Sequence, residues 1–211
     1  MGICCGKGGG TNVSYGTQIN NLIPLSDADI PKYTLNGLEC PAKCVDVYDG
    51  DTCRMCFYVE GKIRKYTVRL EGYDAPEKRG KKVSIYEKAM AIKARRRLME
   101  LLKVNNTIYP IVYIKCGKWD KYGRLLATIY TDIDTIAKAT PRGKMKERTQ
   151  GISVNQCMLD TGYCYKYSGG KKEKIDYSTM ISLDEAQRIL IAEGYSKIEK
   201  MEEAEEETEE E

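Results

Sequence analysis

Short alternating runs fill the middle of the chain, and a helical stripe interrupts them. Lys43–Tyr48 and Thr52–Glu60 flank Asp49-Gly50, a dipeptide that favours reversal between two strands. After Gly61, Tyr66, Val68 and Leu70 alternate with Lys65, Thr67 and Arg69. That period of two predicts a third strand, with Arg69 on the face opposite the apolar set. The period then changes. From Ile85 to Leu102, Ile85, Ala89, Ile92, Met99 and Leu102 form the apolar stripe of a helix, with Lys88, Lys93, Arg95 and Arg97 turned outward. Ser84 and Glu87 supply a capping box at its start. Alternation returns in Ile108–Lys115 and Leu125–Tyr130, two strands joined by a loop around Trp119. Pro110 predicts an edge or distorted start for the first of these. Further capping boxes, Ser153 to Gln156 and Ser182 to Glu185, start a helix that stops at Gly162 and another that runs to about Glu193, before Gly194.

Three strands, a helix, two strands and further helices make an α+β order. Five strands with a helix between the third and fourth predict an OB-fold β-barrel with about three helices. Residues 1–40 open MGICCGKGGG and stay polar and turn-rich, which predicts a flexible leader. The folded domain is expected over 41–200, with a polar, Lys- and Arg-bearing insertion loop at 131–151. Residues 201–211 are expected to be a disordered acidic tail.

Composition sharpens this outline. Lys and Arg number 34 against 31 Asp and Glu, a formal net charge of +3. Eight of those acids are Glu in residues 202–211, which hold no Lys or Arg. The body is therefore strongly basic and suited to a polyanionic partner such as nucleic acid. Apolar residues make up 42 % of the chain, enough for one core. There is no His, so triads, dyads and metal sites that need imidazole are excluded, and acid–base work falls to carboxylates, Lys, Tyr or Cys. Nine Cys at irregular spacing argue against a secreted disulfide framework and for a reducing compartment. No apolar signal region follows the N-terminus, so export through a signal peptide is not expected. Cys40, Cys44, Cys53 and Cys56 invite a zinc site, but Cys44 and Cys53 fall at core-facing strand positions, where small buried thiols are common. Gly2 with Cys4 and Cys5 has the layout of an N-myristoylation site beside palmitoylation sites, although Gly6 stands where Ser or Thr is usual. Two lipids would anchor the chain to the cytoplasmic side of a membrane.

The candidate chemistry lies in three stretches: DGDT at 49–52, VRLEGYDAPE at 68–77 and DKYGR at 120–124. They offer carboxylates to a hard cation and two guanidinium groups to a phosphate. With VNQCMLDTGY at 154–163, their order and spacing resemble the staphylococcal nuclease (thermonuclease) family over roughly residues 42–195, with a gap at 131–151. The resemblance implies a calcium-dependent endonuclease that hydrolyses DNA or RNA and leaves 3′-phosphate ends. Asp51 and Asp74 match its cation-binding carboxylates, and the carbonyl of Ala75 matches the next ligand. Glu77 matches the general base, and Arg69 and Arg124 match the phosphate clamp. Lys121 and Tyr122 match substrate-side positions. Tyr163 and Tyr165, with Tyr167, are candidates for the remaining walls of the nucleotide pocket. Single-stranded or frayed substrates and a monomeric enzyme are the expected partner and state. Some plant members begin with a comparable acylated segment. Ala75 departs from the Thr of many members, keeping the carbonyl but losing a hydroxyl, and the usual Gly-Leu-Trp ending is reduced to Gly194-Tyr195. The rival reading is a non-catalytic nucleic-acid-binding or scaffold module. Such modules usually lose the acids that this chain keeps.

Overall fold

The alternating runs close on one another. The computed structural model describes residues 13–28, 30–80, 82–102, 111–131, 152–170, 172 and 174–195. Gly2, Cys4, Cys5, the start of the predicted fourth strand at Ile108–Pro110, the body of the insertion at 132–151 and the acidic tail lie outside them. The chain divides into two units at Thr34 and Leu35. In the first, a helix, α1 (Tyr15–Leu22), is capped by the Ser14 hydroxyl and buries no residue. The segment read as a leader thus contains regular structure, held by local capping and not by packing.

The second unit is a barrel. Strands β1 (Glu39–Val47), β2 (Thr52–Val59), β3 (Lys62–Leu70), β5 (Ile111–Trp119) and β6 (Leu125–Tyr130) close in the order β1-β2-β3-β6-β5. All neighbours are antiparallel except β3 and β6, which run parallel. A short β4 (Gly72–Asp74) follows β3 and pairs outside the barrel with β7 (Tyr165–Tyr167). Helix α2 (Ile85–Leu101) stands between β4 and β5, and α3 (Val154–Asp160) and α4 (Leu183–Ala192) come late in the chain. This is the α+β, five-stranded OB-fold barrel that the alternation predicts.

Burial follows the register. Cys53, Met55 and Phe57 on β2 face Val68 and Leu70 on β3 and Leu125, Ala127 and Ile129 on β6. Cys44 joins them, so the buried thiols are core atoms, and among the described residues no three or more Cys, Asp or Glu side chains come together as a ready-made metal site. Helix α2 departs from its single predicted stripe. Ala94, Leu98 and Leu102 pack on the barrel, whereas Ile85, Ala89, Met90 and Ile92 pack on α4 with Tyr177 and Ile181. A helix clamped between two clusters needs two apolar faces, so Leu98 is fully buried and Met99 only partly so. Trp119 likewise belongs to β5 and pairs with Leu125, the register recovering after a bulge at 117–118.

Two contacts hold the connections at the ends of the barrel strands. Gly50, in the β1–β2 connection, approaches α2 so closely that an added Cβ would lie 2.7 Å from the Ala75 methyl and 2.8 Å from that of Ala94. Its carbonyl accepts a hydrogen bond from the buried Tyr73 hydroxyl at 2.9 Å. On the far side, buried Asn155 ties α3 to the barrel. Its Nδ2 donates to the carbonyls of Glu71 and Ala127, at 2.8 and 3.0 Å, and its Oδ1 accepts from the Ile129 amide at 3.0 Å. The ends of the insertion meet here too: Tyr130 bridges Ser153, and the Thr131 amide donates to the Ile152 carbonyl at 3.1 Å.

Replacing Asn155 with Ala leaves the buried Ile129 amide without its acceptor and removes the ties to the Glu71 and Ala127 carbonyls; it is expected to cost about 1–3 kcal/mol of stability, read as a lower denaturation midpoint in urea. Gly50→Ala forces a methyl against two others and is expected to cost about 1–3 kcal/mol in the same assay. An unchanged midpoint in either variant contradicts the packing described.

Candidate active site

One end of the barrel opens on a cleft of about 450 Å³ whose walls include Asp49, Asp51, Arg69, Asp74, Glu77 and Arg124. They reach it from several separate parts of the fold. The β1–β2 connection delivers Asp49 and Asp51, β3 delivers Arg69, β4 ends on Asp74, and the β5–β6 turn delivers Arg124. Cross-strand register sets Asp51 beside Arg69, because the adjacent Thr52 pairs with Arg69. The Leu70 amide also donates to the Asp51 carbonyl at 2.8 Å, which locks the Asp51 backbone to β3.

Arg69 is the hub. Its Nη2 donates to Asp51 Oδ2 at 2.9 Å and to Asp74 Oδ1 at 2.5 Å, and its side chain is only 9 % exposed. Alternation places Arg69 correctly on the non-core face, but that face is largely covered and leaves Arg69 open only toward the cleft. Its ring-face neighbour is Tyr167, 5.6 Å from the guanidinium carbon. Burial works against the Arg69 charge, but the carboxylates of Asp51 and Asp74 outweigh it and raise its pKa. Asp51 is the opposite case. Burial first, and then the charge of Asp49, pushes its carboxyl up to about 7, against the pull of Arg69 and a hydrogen bond from the Thr52 hydroxyl at 2.7 Å. Asp74 is as deeply placed, at 1 % exposure. Burial would raise it as well, but hydrogen bonds from Lys172 and Tyr165 and the nearby positive charges hold it below the usual carboxylate range.

Arg124 is aimed by its own turn. Asp120 Oδ1 accepts from the amides of Tyr122 and Arg124, both at 2.8 Å, and Asp120 Oδ2 accepts from Arg124 Nε at 2.7 Å. Arg124 Nη1 reaches the Thr52 hydroxyl at 3.4 Å. The Tyr122 ring lies beneath both cations of the turn, 5.4 Å from the Arg124 guanidinium carbon and 5.0 Å from Lys121 Nζ. Gly123, at φ 76°, takes the left-handed conformation that the tight DKYGR turn requires. The two guanidinium groups thus approach the cleft from a strand and from a turn, each oriented by carboxylates.

The donor set fits a hard divalent cation. Asp51 and Asp74 converge on a single nitrogen, with Asp49 beside Asp51, and the backbone of Ala75 follows Asp74 directly. All are oxygen donors, which suits calcium, with solvent completing the shell. An acid whose carboxyl is raised as far as that of Asp51 gains from an added positive charge. Ala75 is buried, and its methyl packs against Gly50.

The cleft gathers Asp51, Arg69, Asp74, Ala75, Glu77, Lys121, Tyr122 and Arg124 as the motifs imply. The aromatic candidates separate. Tyr167 lines the cleft. The Tyr165 hydroxyl donates to Asp74 Oδ2 at 2.5 Å, so it steadies a carboxylate and is not part of the cleft wall. Tyr163 lies away from the cleft, packed against both core clusters and beneath Lys93 Nζ at 5.3 Å. Sequence reasoning missed Lys172, which lines the cleft and contacts both Asp74 and Glu77. It missed the anchoring role of Asp120 as well, although an Asp four residues before an Arg across a Gly turn is a readable signal.

No curated protein matches the sequence. A family model described as staphylococcal nuclease homologue matches residues 67–189, more than half of the chain. The match takes in Arg69, Asp74, Glu77, Arg124 and the Asn155 anchor, while Asp51 lies upstream of it. With the closed barrel and the cleft at its end, that match establishes that the chain belongs to the staphylococcal nuclease homologue family.

Proposed function

We propose that this protein is a calcium-dependent endonuclease acting on single-stranded or frayed DNA or RNA and leaving 3′-phosphate ends. The observation that carries this reading is the convergence of Asp51, Asp74, Glu77, Arg69 and Arg124 on one cleft from distant parts of the chain. Hydrolysis of a phosphodiester gathers negative charge on the phosphoryl oxygens in the transition state. Arg69 and Arg124 are rigid forks whose charge persists at any working pH, and each is pre-aimed by a carboxylate, so little reorganisation is needed as that charge grows. Glu77, more than half exposed at the cleft wall, can accept the proton of an attacking water. Asp51, Asp74 and the Ala75 carbonyl would hold the cation, which supplies Lewis-acid stabilisation of the phosphoryl oxygens when bound. Tyr122, exposed beside Lys121, and Tyr167 offer faces on which an unstacked base can lie. A duplex hides those base faces, which favours single strands.

Cleavage of single-stranded DNA is expected to require calcium and to stop on addition of chelator. Asp51→Asn is expected to abolish it, and Glu77→Gln or Arg124→Ala to lower kcat about a hundred- to a thousandfold. Full activity in Asp51→Asn and Glu77→Gln sinks the mechanism; binding without cleavage under any metal supports a nucleic-acid-binding module instead. Asp120→Ala leaves the Arg124 guanidinium present but unaimed. A loss of about tenfold or more in kcat, with the fold intact by circular dichroism, is expected from misplacement alone; wild-type kcat would show that Arg124 needs no such support.

A further inference from the structure

Both oxygens of Asp74 are engaged by the protein itself. Oδ1 accepts from Arg69, while Oδ2 accepts from the Tyr165 hydroxyl and, at 2.7 Å, from Lys172 Nζ. The same ammonium donates to Glu77 Oε1 at 2.7 Å. The chain brings it there through Gly169 and Gly170, whose φ angles of 100° and 97° reverse the backbone after β7. The Tyr167 hydroxyl fastens that turn by donating to the Gly170 carbonyl at 2.9 Å. Two internal cations, Arg69 and Lys172, therefore sit on the carboxylate that matches a cation ligand.

A divalent cation entering this cleft meets both of them, and the repulsion acts on whichever leaves at least cost. Arg69 is buried and also holds Asp51, so its departure would leave buried charge uncompensated. Tyr165 is fixed in β7 directly opposite Asp74. Lys172 is 46 % exposed, belongs to no helix or strand, and carries its charge on a flexible four-carbon stem. It can exchange a carboxylate for water cheaply. Its contacts with Asp74 and Glu77 run through one nitrogen, so they are lost together.

We propose that Lys172 is a displaceable counter-ion that holds Asp74 and Glu77 in the cation-free protein and releases both when the cation site fills. Occupation of that site and the freeing of the water-activating carboxylate then become a single event, and Glu77 is held out of use until the cation is in place. The role rests on the calcium reading of the cleft.

Calorimetric titration of calcium into the full-length, metal-stripped chain, without substrate and at fixed pH and ionic strength, tests the idea. Lys172→Met keeps the length of the stem without the charge, and its calcium affinity is expected to rise about five- to tenfold over wild type. Lys172→Arg is expected to bind no more tightly than wild type, and Asp51→Asn to lose binding. A residue that merely braced the cleft would weaken binding when removed, so a gain in affinity separates the two roles. If Asp51→Asn loses binding but Lys172→Met binds no more tightly than wild type, the counter-ion role is overturned and the cation site stands. If no variant binds calcium, both fall.

Discussion

One guanidinium nitrogen, Arg69 Nη2, serves two carboxylates, one in the β1–β2 connection and one at the end of β4, and the cleft is built around that sharing. Unpaired, Asp51 and Asp74 would face each other as buried like charges, and one would have to take up a proton. With Arg69 between them they can stand together. Burial, with the charge of Asp49 beside it, still raises the Asp51 carboxyl against the pull of Arg69. The architecture serves this arrangement closely. Register across β2 and β3 sets Thr52 opposite Arg69, the Leu70 amide holds the Asp51 carbonyl, and β4 brings Asp74 round after Gly72.

The rest of the cleft repeats the same device, with positive groups held in place by acids. Asp120 grips Arg124, and Asp74 and Glu77 hold Lys172. Such pairs contribute little stability where they are exposed. Their value is orientation, because a long side chain that is already tethered gives up little rotamer freedom when it takes on a further partner. A body rich in Lys and Arg can thus present particular cations at particular places instead of a diffuse positive surface.

Much of this was legible in the chain itself. The five barrel strands announce themselves through a period of two, and the capping boxes at Ser84, Ser153 and Ser182 mark real helix starts, each hydroxyl accepting from the amide three residues on. What stayed hidden depended on tertiary context. Strands β4 and β7, of three residues each, are too short to show a period. The alternation of β3 gives the face on which Arg69 lies but not what covers that face. The bulge at 117–118 breaks the pattern just before Trp119, so its strand pairing reads as loop. Tyr163, Tyr165 and Tyr167 look alike in sequence and end in three different surroundings, because β7 pairs on one edge only and Tyr163 precedes it. Lys172 follows a Gly-Gly turn, and nothing local marks a turn that carries an ammonium back to an acid so distant in the chain.

The bridge between Tyr130 and Ser153 has a consequence for the history of the chain. It brings the two ends of the 132–151 segment to one point on the rim of the barrel, so the entropy of closing that loop is met once, by pairing at its neck. Further residues add a cost that grows only with the logarithm of length. Strand β6 before the neck and Asn155 after it are anchored independently of whatever lies between. The neck therefore acts as a port where the chain can gain or lose residues, or accept a grafted segment, while the barrel keeps its register and the cleft its geometry.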